Sequence, residues 1–245
     1  MDKVVFTSMG GARIALRAQG INSHNLANLN TPGFRATLTA SQPAEHEPGA
    51  ARVDVRRAAE TFDTRTGPIQ VTDRELDVAL LGQGWLAVED SRGNEAYTRA
   101  GNLQIDIEGS LRTASGDYVL DEGGGRVTIP ANSSLSIAST GEISIVPLGQ
   151  GIEATAIVAT LKRVNPNPQT MERGVDGLFR VQGGAVAPAD ATVRLQSGSL
   201  EGSNVNPAEV LVKMIELSRT FEMQMRTIKS VEENGKSAQN LLSIG

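Results

Sequence analysis

Two histidines, a few closely spaced acids and two glycine runs are the residues of this chain whose types and spacing invite a chemical reading. His24 and His46 could each serve as a general base or a ligand. Neither stands in a motif whose spacing completes a catalytic set. Asp73, Glu75 and Asp77, like Asp106 and Glu108, place carboxylates on alternate positions and so on one face of a strand. Neither run has the ligand spacing of a calcium loop. Gly82-Gln83-Gly84 and Gly123-Gly124-Gly125 open no helix and lead to no Walker-type lysine, so tight turns explain them better than phosphate cradles. Arg52, Arg56 and Arg57, interrupted by Asp54 and closed by Glu60, read as a solvated connector. Cysteine is absent, which excludes disulfides, zinc thiolates and thiol catalysis together. No Gly-x-Ser-x-Gly elbow occurs. These residues imply no catalytic constellation, no metal site and no cofactor.

The elements around them fit a structural role. Aromatic residues make up 3% of the 245, so a core must be built from Val, Ile, Leu and Ala, with Trp85 as an anchor. The 26 glycines and 10 prolines favour short strands joined by tight turns. A net charge of −5 argues against general nucleic-acid binding, which needs a basic surface. The first residues lack the apolar run and cleavage site of a secretory signal, and no stretch approaches the ~18 apolar residues of a membrane span. That leaves a cytosolic protein or one exported without a cleaved signal.

Periodicity divides the chain into ends and middle. From Lys3 to Leu29 an alternating spacing of 4 and 3 collects Val5, Met9, Ala12, Leu16, Gln19, Ser23 and Leu26, an imperfect apolar seam on a helix. Thr31-Pro32-Gly33 should stop it, since proline disfavours a helical residue before it and glycine permits positive φ. Asn206-Pro207-Ala208-Glu209 reads as a helix start, with Asn206 as N-cap and Pro207 at the first position. The helix predicted over 207–243 carries a longer seam: Val210, Met214, Leu217, Phe221, Gln224, Ile228, Val231, Gly235, Ala238 and Leu242. Between the helices, runs such as 77–81, 85–88, 103–107, 141–145, 154–161 and 191–195 are bounded by Gly, Asp, Asn or Ser and predict strands. The predicted fold is therefore mixed α and β: long, coiled-coil-like N- and C-terminal helices flanking a central all-β domain. The expected divisions are a helix within 1–35, an extended connector at 36–65, a β-rich domain at 66–203 and a second helix at 204–245. Long apolar seams on paired helices imply partners, so self-assembly is expected from the pattern alone.

Several segments resemble the axial proteins of the bacterial flagellum. Asn25-Leu26-Ala27-Asn28-Leu29-Asn30-Thr31-Pro32-Gly33-Phe34 is similar to the N-terminal signature of that family; Asn25, Leu26, Ala27, Asn28, Thr31, Pro32, Gly33 and Phe34 carry the match. Glu201-Gly202-Ser203-Asn204-Val205-Asn206 and Arg219-Thr220-Phe221-Glu222 resemble its C-terminal counterpart. Gly82-Gln83-Gly84-Trp85-Leu86-Ala87-Val88, Tyr97-Thr98-Arg99-Ala100-Gly101-Asn102-Leu103 and Gly109-Ser110-Leu111 are similar to its middle. Trp85-Leu86 and Asp73-Arg74-Glu75-Leu76-Asp77-Val78-Ala79 resemble the proximal-rod type, with the distal rod protein as the alternative. The resemblance implies export through the flagellar type III apparatus and helical polymerisation in the periplasm with copies of itself and other rod proteins. It implies a shaft that transmits torque. The terminal segments are expected to order on incorporation, because unpartnered seams do not offset chain entropy. Val5, Met9, Leu16, Leu26, Val210, Met214, Leu217, Phe221, Ile228, Val231 and Leu242 are the residues expected at the assembly interface. Two other classes stay open at this point: a wall-active enzyme using Asp73 and Asp77, and a ligand-binding β-domain carried on oligomerising helices.

Overall fold

The computed structural model describes residues 2–39, 60–149 and 152–243. His46 and the Arg52, Arg56 and Arg57 cluster lie outside the described residues, as does most of the expected connector. One long helix stands at each end of the chain: α1 (Asp2–Ala27) and α2 (Pro207–Ser243). Between them, among the described residues, run seventeen short strands: β1 (Thr37–Thr39), β2 (Glu60–Phe62), β3 (Ile69–Val71), β4 (Val78–Leu81), β5 (Trp85–Glu89) and β6 (Glu95–Thr98). There follow β7 (Leu103–Ile105), β8 (Leu111–Thr113), β9 (Tyr118–Val119), β10 (Asn132–Ile137), β11 (Glu142–Pro147) and β12 (Ala156–Thr160). The last are β13 (Arg163–Val164), β14 (Met171–Arg173), β15 (Phe179–Val181), β16 (Arg194–Ser197) and β17 (Ser199–Glu201).

The chain forms two compact units. Residues 1–29, 36–62 and 205–245 make a helical unit; residues 30–35 and 63–204 make a β unit. In the helical unit α1 packs on α2 and meets the β1–β2 pair. In the β unit the strand order β14-β15-β6-β5-β9-β8-β7 forms the main sheet, with β13 also paired to β5. A three-stranded sheet β10-β11-β12 and the pairs β16–β4 and β17–β3 complete it. All these strand pairs are antiparallel, and hairpin-length connections join β5 to β6, β7 to β8, β10 to β11 and β14 to β15. Period-two alternation is plain in β10, where Leu135 and Ile137 are buried and Ser134 and Ser136 are exposed, the pattern of a sheet with one wet face. Val78, Leu80, Leu86, Val88, Leu103, Leu111, Ile143, Leu161 and Leu195 close a single aliphatic core. Trp85 is buried against Phe179, with ring centroids 4.4 Å apart.

The mixed α and β content agrees with the sequence reading, but the coiled-coil-like helices flanking a central domain do not. The molecule has two helices and a large β-rich body, and α1 does not present the apolar seam that a coiled coil needs. Its covered positions are Ser8, Ala12, Ala15 and Asn25, whereas Met9 and Leu16 are about half exposed, at 49% and 51%. The covered stripe on α1 keeps Ala12 of the expected row, with Val5, Gln19 and Leu26 partly covered, but replaces Met9 and Leu16 by the small neighbours Ser8 and Ala15. Small residues let two helix backbones approach without large knobs filling holes.

Candidate functional site

The family-like segments converge on a buried ionic knot in the β unit. Arg35 follows Thr31-Pro32-Gly33-Phe34, Arg99 lies just beyond β6, and Glu201 ends β17. All three side chains are at most 2% exposed. One Glu201 oxygen accepts from Arg99 Nε at 2.6 Å and is ion-paired with its Nη2, also at 2.6 Å. The other is ion-paired with Arg35 Nη2 at 3.0 Å and accepts from the Gly67 N–H at 2.9 Å. Arg99 also donates to the carbonyls of Gly84 (2.7 Å) and Leu80 (3.1 Å), and Arg35 donates to the Arg65 carbonyl. Burial pushes the Arg35 guanidinium down to about 10, and neighbouring Arg99 adds to this against the pull of Glu201 and Asp63. Burial lowers Arg99 as well, opposed by Glu201. Both remain charged at neutral pH, so one carboxylate holds two cations away from water. Such a group is expensive to bury unless every lone pair and proton is used.

Two glycines make the knot possible. Gly33 has φ 68°, and a Cβ there would stand 2.2 Å from the Arg99 carbonyl carbon. A Cβ on Gly67 would stand 2.0 Å from the Gly202 carbonyl oxygen. Glycine is required where backbones approach this closely. Phe34 is buried with the Arg173 guanidinium 4.3 Å above its ring, and Arg173 donates to the Arg35 carbonyl at 3.2 Å. Burial pushes Arg173 down from its ordinary value. Asn204 donates from its N–H to the Phe34 carbonyl at 3.2 Å, and from Nδ2 to the carbonyls of Asp63 and Arg65 at 3.2 and 2.8 Å. Burial would raise the Asp63 carboxyl, but hydrogen bonds from the Arg65 side chain and N–H hold it below the usual range.

The earlier part of the motif works within the helical unit. Buried Asn25 donates from Nδ2 to the Thr37 carbonyl and accepts from the Thr37 N–H, both at 2.9 Å. One side chain thereby satisfies both backbone groups of a β1 residue, as a neighbouring strand would. Asn28 donates to the His24 carbonyl at 2.9 Å, closing the last turn of α1. At the start of α2, Asn206 Oδ1 accepts from the N–H groups of Ala208 (3.1 Å) and Glu209 (3.4 Å), the N-cap expected of it. Glu209 accepts from Lys213 at 2.6 Å.

The residues expected at an assembly interface divide into two sets. On α2, Val210 is buried, and Met214, Leu217, Phe221, Gln224, Ile228 and Val231 are all partly buried while most of the helix around them is exposed. Gln224 of this row lies against Gly11 of α1. Val5 and Leu26 share the partly covered side of α1. Met9 and Leu16 face outward, joined by Phe6 (73% exposed) and Ile14 on α1 and by Leu211, Val212 and Ile215 on α2. Leu242 lies in α2, and its side chain is outside the described residues.

The groups that could have done chemistry hold turns. His24 is exposed near the end of α1. Buried Asp77 accepts from the Thr72 hydroxyl at 2.8 Å and pairs with Arg74 at 3.1 Å. Asp106 accepts from the N–H groups of Glu108 and Ser110 and pairs with Arg112 at 2.9 Å. Gly82 and Gly84 turn the chain from β4 into β5 with positive φ. Among the described residues no group of three or more His, Cys, Asp or Glu could hold a metal ion, and no helix is long and apolar enough to cross a membrane. Sequence reasoning passed over the knot although it had singled out the segments holding Arg99 and Glu201. The available signal was a charge set within an otherwise apolar or glycine-rich run, but the partners stand 102 residues apart.

Comparison with known proteins agrees with these segments. Residues 196–241 match the family described as the C-terminal domain of flagellar basal body rod FlgEFG proteins. Residues 79–145 match the D1 domain of the flagellar hook protein FlgE/F/G family. The chain is 42% identical to the flagellar basal-body rod protein FlgF of Salmonella typhimurium and 40% identical to that of Escherichia coli, with all of each chain covered in both cases. It is 31% identical to the rod protein FlgG of Buchnera aphidicola subsp. Acyrthosiphon pisum, over 91% of this chain and 94% of the relative. The chain therefore belongs to the flagellar basal-body rod protein family, as a structural subunit of the FlgF type.

Proposed function

We propose that this chain is a proximal-rod subunit that polymerises helically with copies of itself and with other rod proteins. The assembly forms the shaft that carries motor torque to the hook. It leaves the cell through the flagellar export apparatus, is built into the basal body in the periplasm, and performs no catalytic step. The observation that carries this reading is the pair of terminal helices that cover one face each and leave a second apolar row open. That row comprises Phe6, Met9 and Leu16 on α1 and Leu211 and Ile215 on α2. A monomer gains nothing from apolar side chains standing in water, whereas a polymer buries them. Contacts of this kind are heterologous and do not close, the symmetry class that builds filaments.

The two sets of interface residues then have different tasks. Val5, Leu26, Val210, Met214, Leu217, Phe221, Ile228 and Val231 hold the helix pair together. Met9 and Leu16, with Phe6, meet neighbouring subunits. The assembly elements fall within the segments 1–35 and 204–245, of which residues 30–35 and 204 belong to the β unit. The test is expression of the chain in cells lacking their own proximal rod protein, with swimming and purified basal bodies as readouts. Restored rods containing the chain are expected. Rescue of cells lacking the distal rod protein instead would move the assignment to that position, and rescue of neither would sink it.

A further inference from the structure

The chain passes between its two units at the 29–30, 35–36, 62–63 and 204–205 peptide bonds. Within the β unit, three short segments carry all of these passages: residues 30–35, the stretch beginning at Asp63, and the stretch ending at Asn204. Each is bonded to the other two. The Gly33 N–H donates to the Glu201 carbonyl at 2.7 Å, tying the first segment to the third. Asn204 donates to the Asp63 and Arg65 carbonyls, tying the third to the second. Arg35 donates to the Arg65 carbonyl, tying the second to the first. The Glu201 carboxylate sits inside this triangle, gripping Arg35 from one side and the Gly67 N–H from another. Through Arg99 it is fastened to the carbonyls of Leu80 and Gly84 at the end of β4 and the turn after it.

Stability alone does not account for this arrangement. Buried ion triads can often be replaced by apolar side chains with no loss, and in some proteins what they contribute is a geometry that tolerates no alternative pairing. Loss of any one hydrogen bond leaves the triangle held on its other sides. Loss of the carboxylate releases Arg35, Arg99 and Gly67 at once and strands two cations in the interior. We propose that the Arg35–Glu201–Arg99 network is a clasp that makes the three crossing segments open only together. Torsion or tension entering the β unit along the chain meets this clasp before it can peel β17 from β3 or β16 from β4. The mechanical purpose rests on the rod reading above; the cooperativity belongs to the chain itself.

Amide hydrogen exchange on the purified full chain tests the clasp. In Glu201→Gln the amides of Gly33, Gly67, Gly202 and Asn204 are expected to exchange faster by one common factor of about 100-fold. Those of Leu86, Ala87 and Val88 in β5 should accelerate by no more than this factor. Asn204→Ala removes a partly exposed side chain and leaves the ion network in place, so it secures a readout if the first variant fails to fold. There the amides of Gly33, Gly67 and Gly202 are expected to accelerate together by about 10-fold. Acceleration confined to one segment, or by unrelated factors in the three, in either variant would overturn the clasp. The complementation experiment above fails independently: loss of rescue by the unaltered chain would remove the rod reading and leave the exchange result intact.

Discussion

The two units of this molecule bury side chains in opposite styles. In the β unit, large aliphatic residues such as Leu80, Leu86, Leu103, Leu111, Ile143 and Leu161 are at most 1% exposed, and even the charged Arg99 and Glu201 are shut away with partners. In the helical unit the buried apolar side chains among the described helix residues are Ala12, Ala15 and Val210, while Phe6 and Ile215 stand more than half exposed. Burial contributes roughly 25 cal/mol per Å² of apolar surface, so small, half-covered side chains hold a helix pair weakly. On the proposed function, the β unit is finished as a monomer and the helical unit is not. A subunit built this way can fold its body first and keep its remaining apolar surface for its neighbours.

Three changes would break or sharpen that contrast, the largest first. Gly33→Ala should cost the β unit about 3 kcal/mol, because the added methyl meets the Arg99 backbone and the positive φ is unfavourable for alanine. Thermal unfolding followed by near-ultraviolet signals of Trp85 would read it, and an unchanged midpoint would show that this junction does not hold the unit. A smaller effect follows from Asp90. Burial would raise its carboxyl, but hydrogen bonds from the Asn94 N–H, the Arg180 side chain and the Arg92 N–H bring it down to about 2. Its folded value is depressed, so its stabilisation is present above the ordinary value near 3.8 and is lost as pH falls toward about 2. The expected loss is on the order of 1 kcal/mol, abolished in Asp90→Asn, and equilibrium denaturation at pH 5 and pH 2.5 in both proteins checks it. Least of all, Asn206→Ala should cost the start of α2 about 1 kcal/mol or less. It should lower helicity by circular dichroism without moving the β unit's transition. A shift of both transitions would mean that the units do not unfold separately.

Local chemistry made much of this legible in the sequence. Asn206-Pro207 marks the start of α2, which begins at Pro207 as expected, and the alternating row on that helix from Val210 to Val231 is its covered face. Gly, Asp and Asn punctuation placed β4, β5, β11 and β16 to within a few residues. The face of α1 was legible only in part: Ala12 of the expected row is buried and Val5, Gln19 and Leu26 are partly covered, but apolar Met9 and Leu16 are exposed while small Ser8 and Ala15 are buried. Such an exchange for small side chains leaves little trace in hydrophobic spacing. The ionic knot was illegible for a different reason. Arg35, Arg99 and Glu201 come from distant parts of the chain, and nothing near any of them signals its partners. The glycines that admit the knot, Gly33 and Gly67, look in sequence like ordinary turn residues.

The most direct test of the unfinished helical unit is the double variant Met9→Glu and Leu16→Glu, followed by purification of basal bodies. Both side chains face outward, so the free subunit should keep its circular dichroism spectrum and its unfolding midpoint. Rod assembly and swimming should be lost. Normal rods built from this variant would contradict the account, because charged side chains cannot lie buried and unpaired in a subunit contact. Loss of the monomer's own fold would contradict it equally, since these residues would then belong to the helix pair and not to the neighbours.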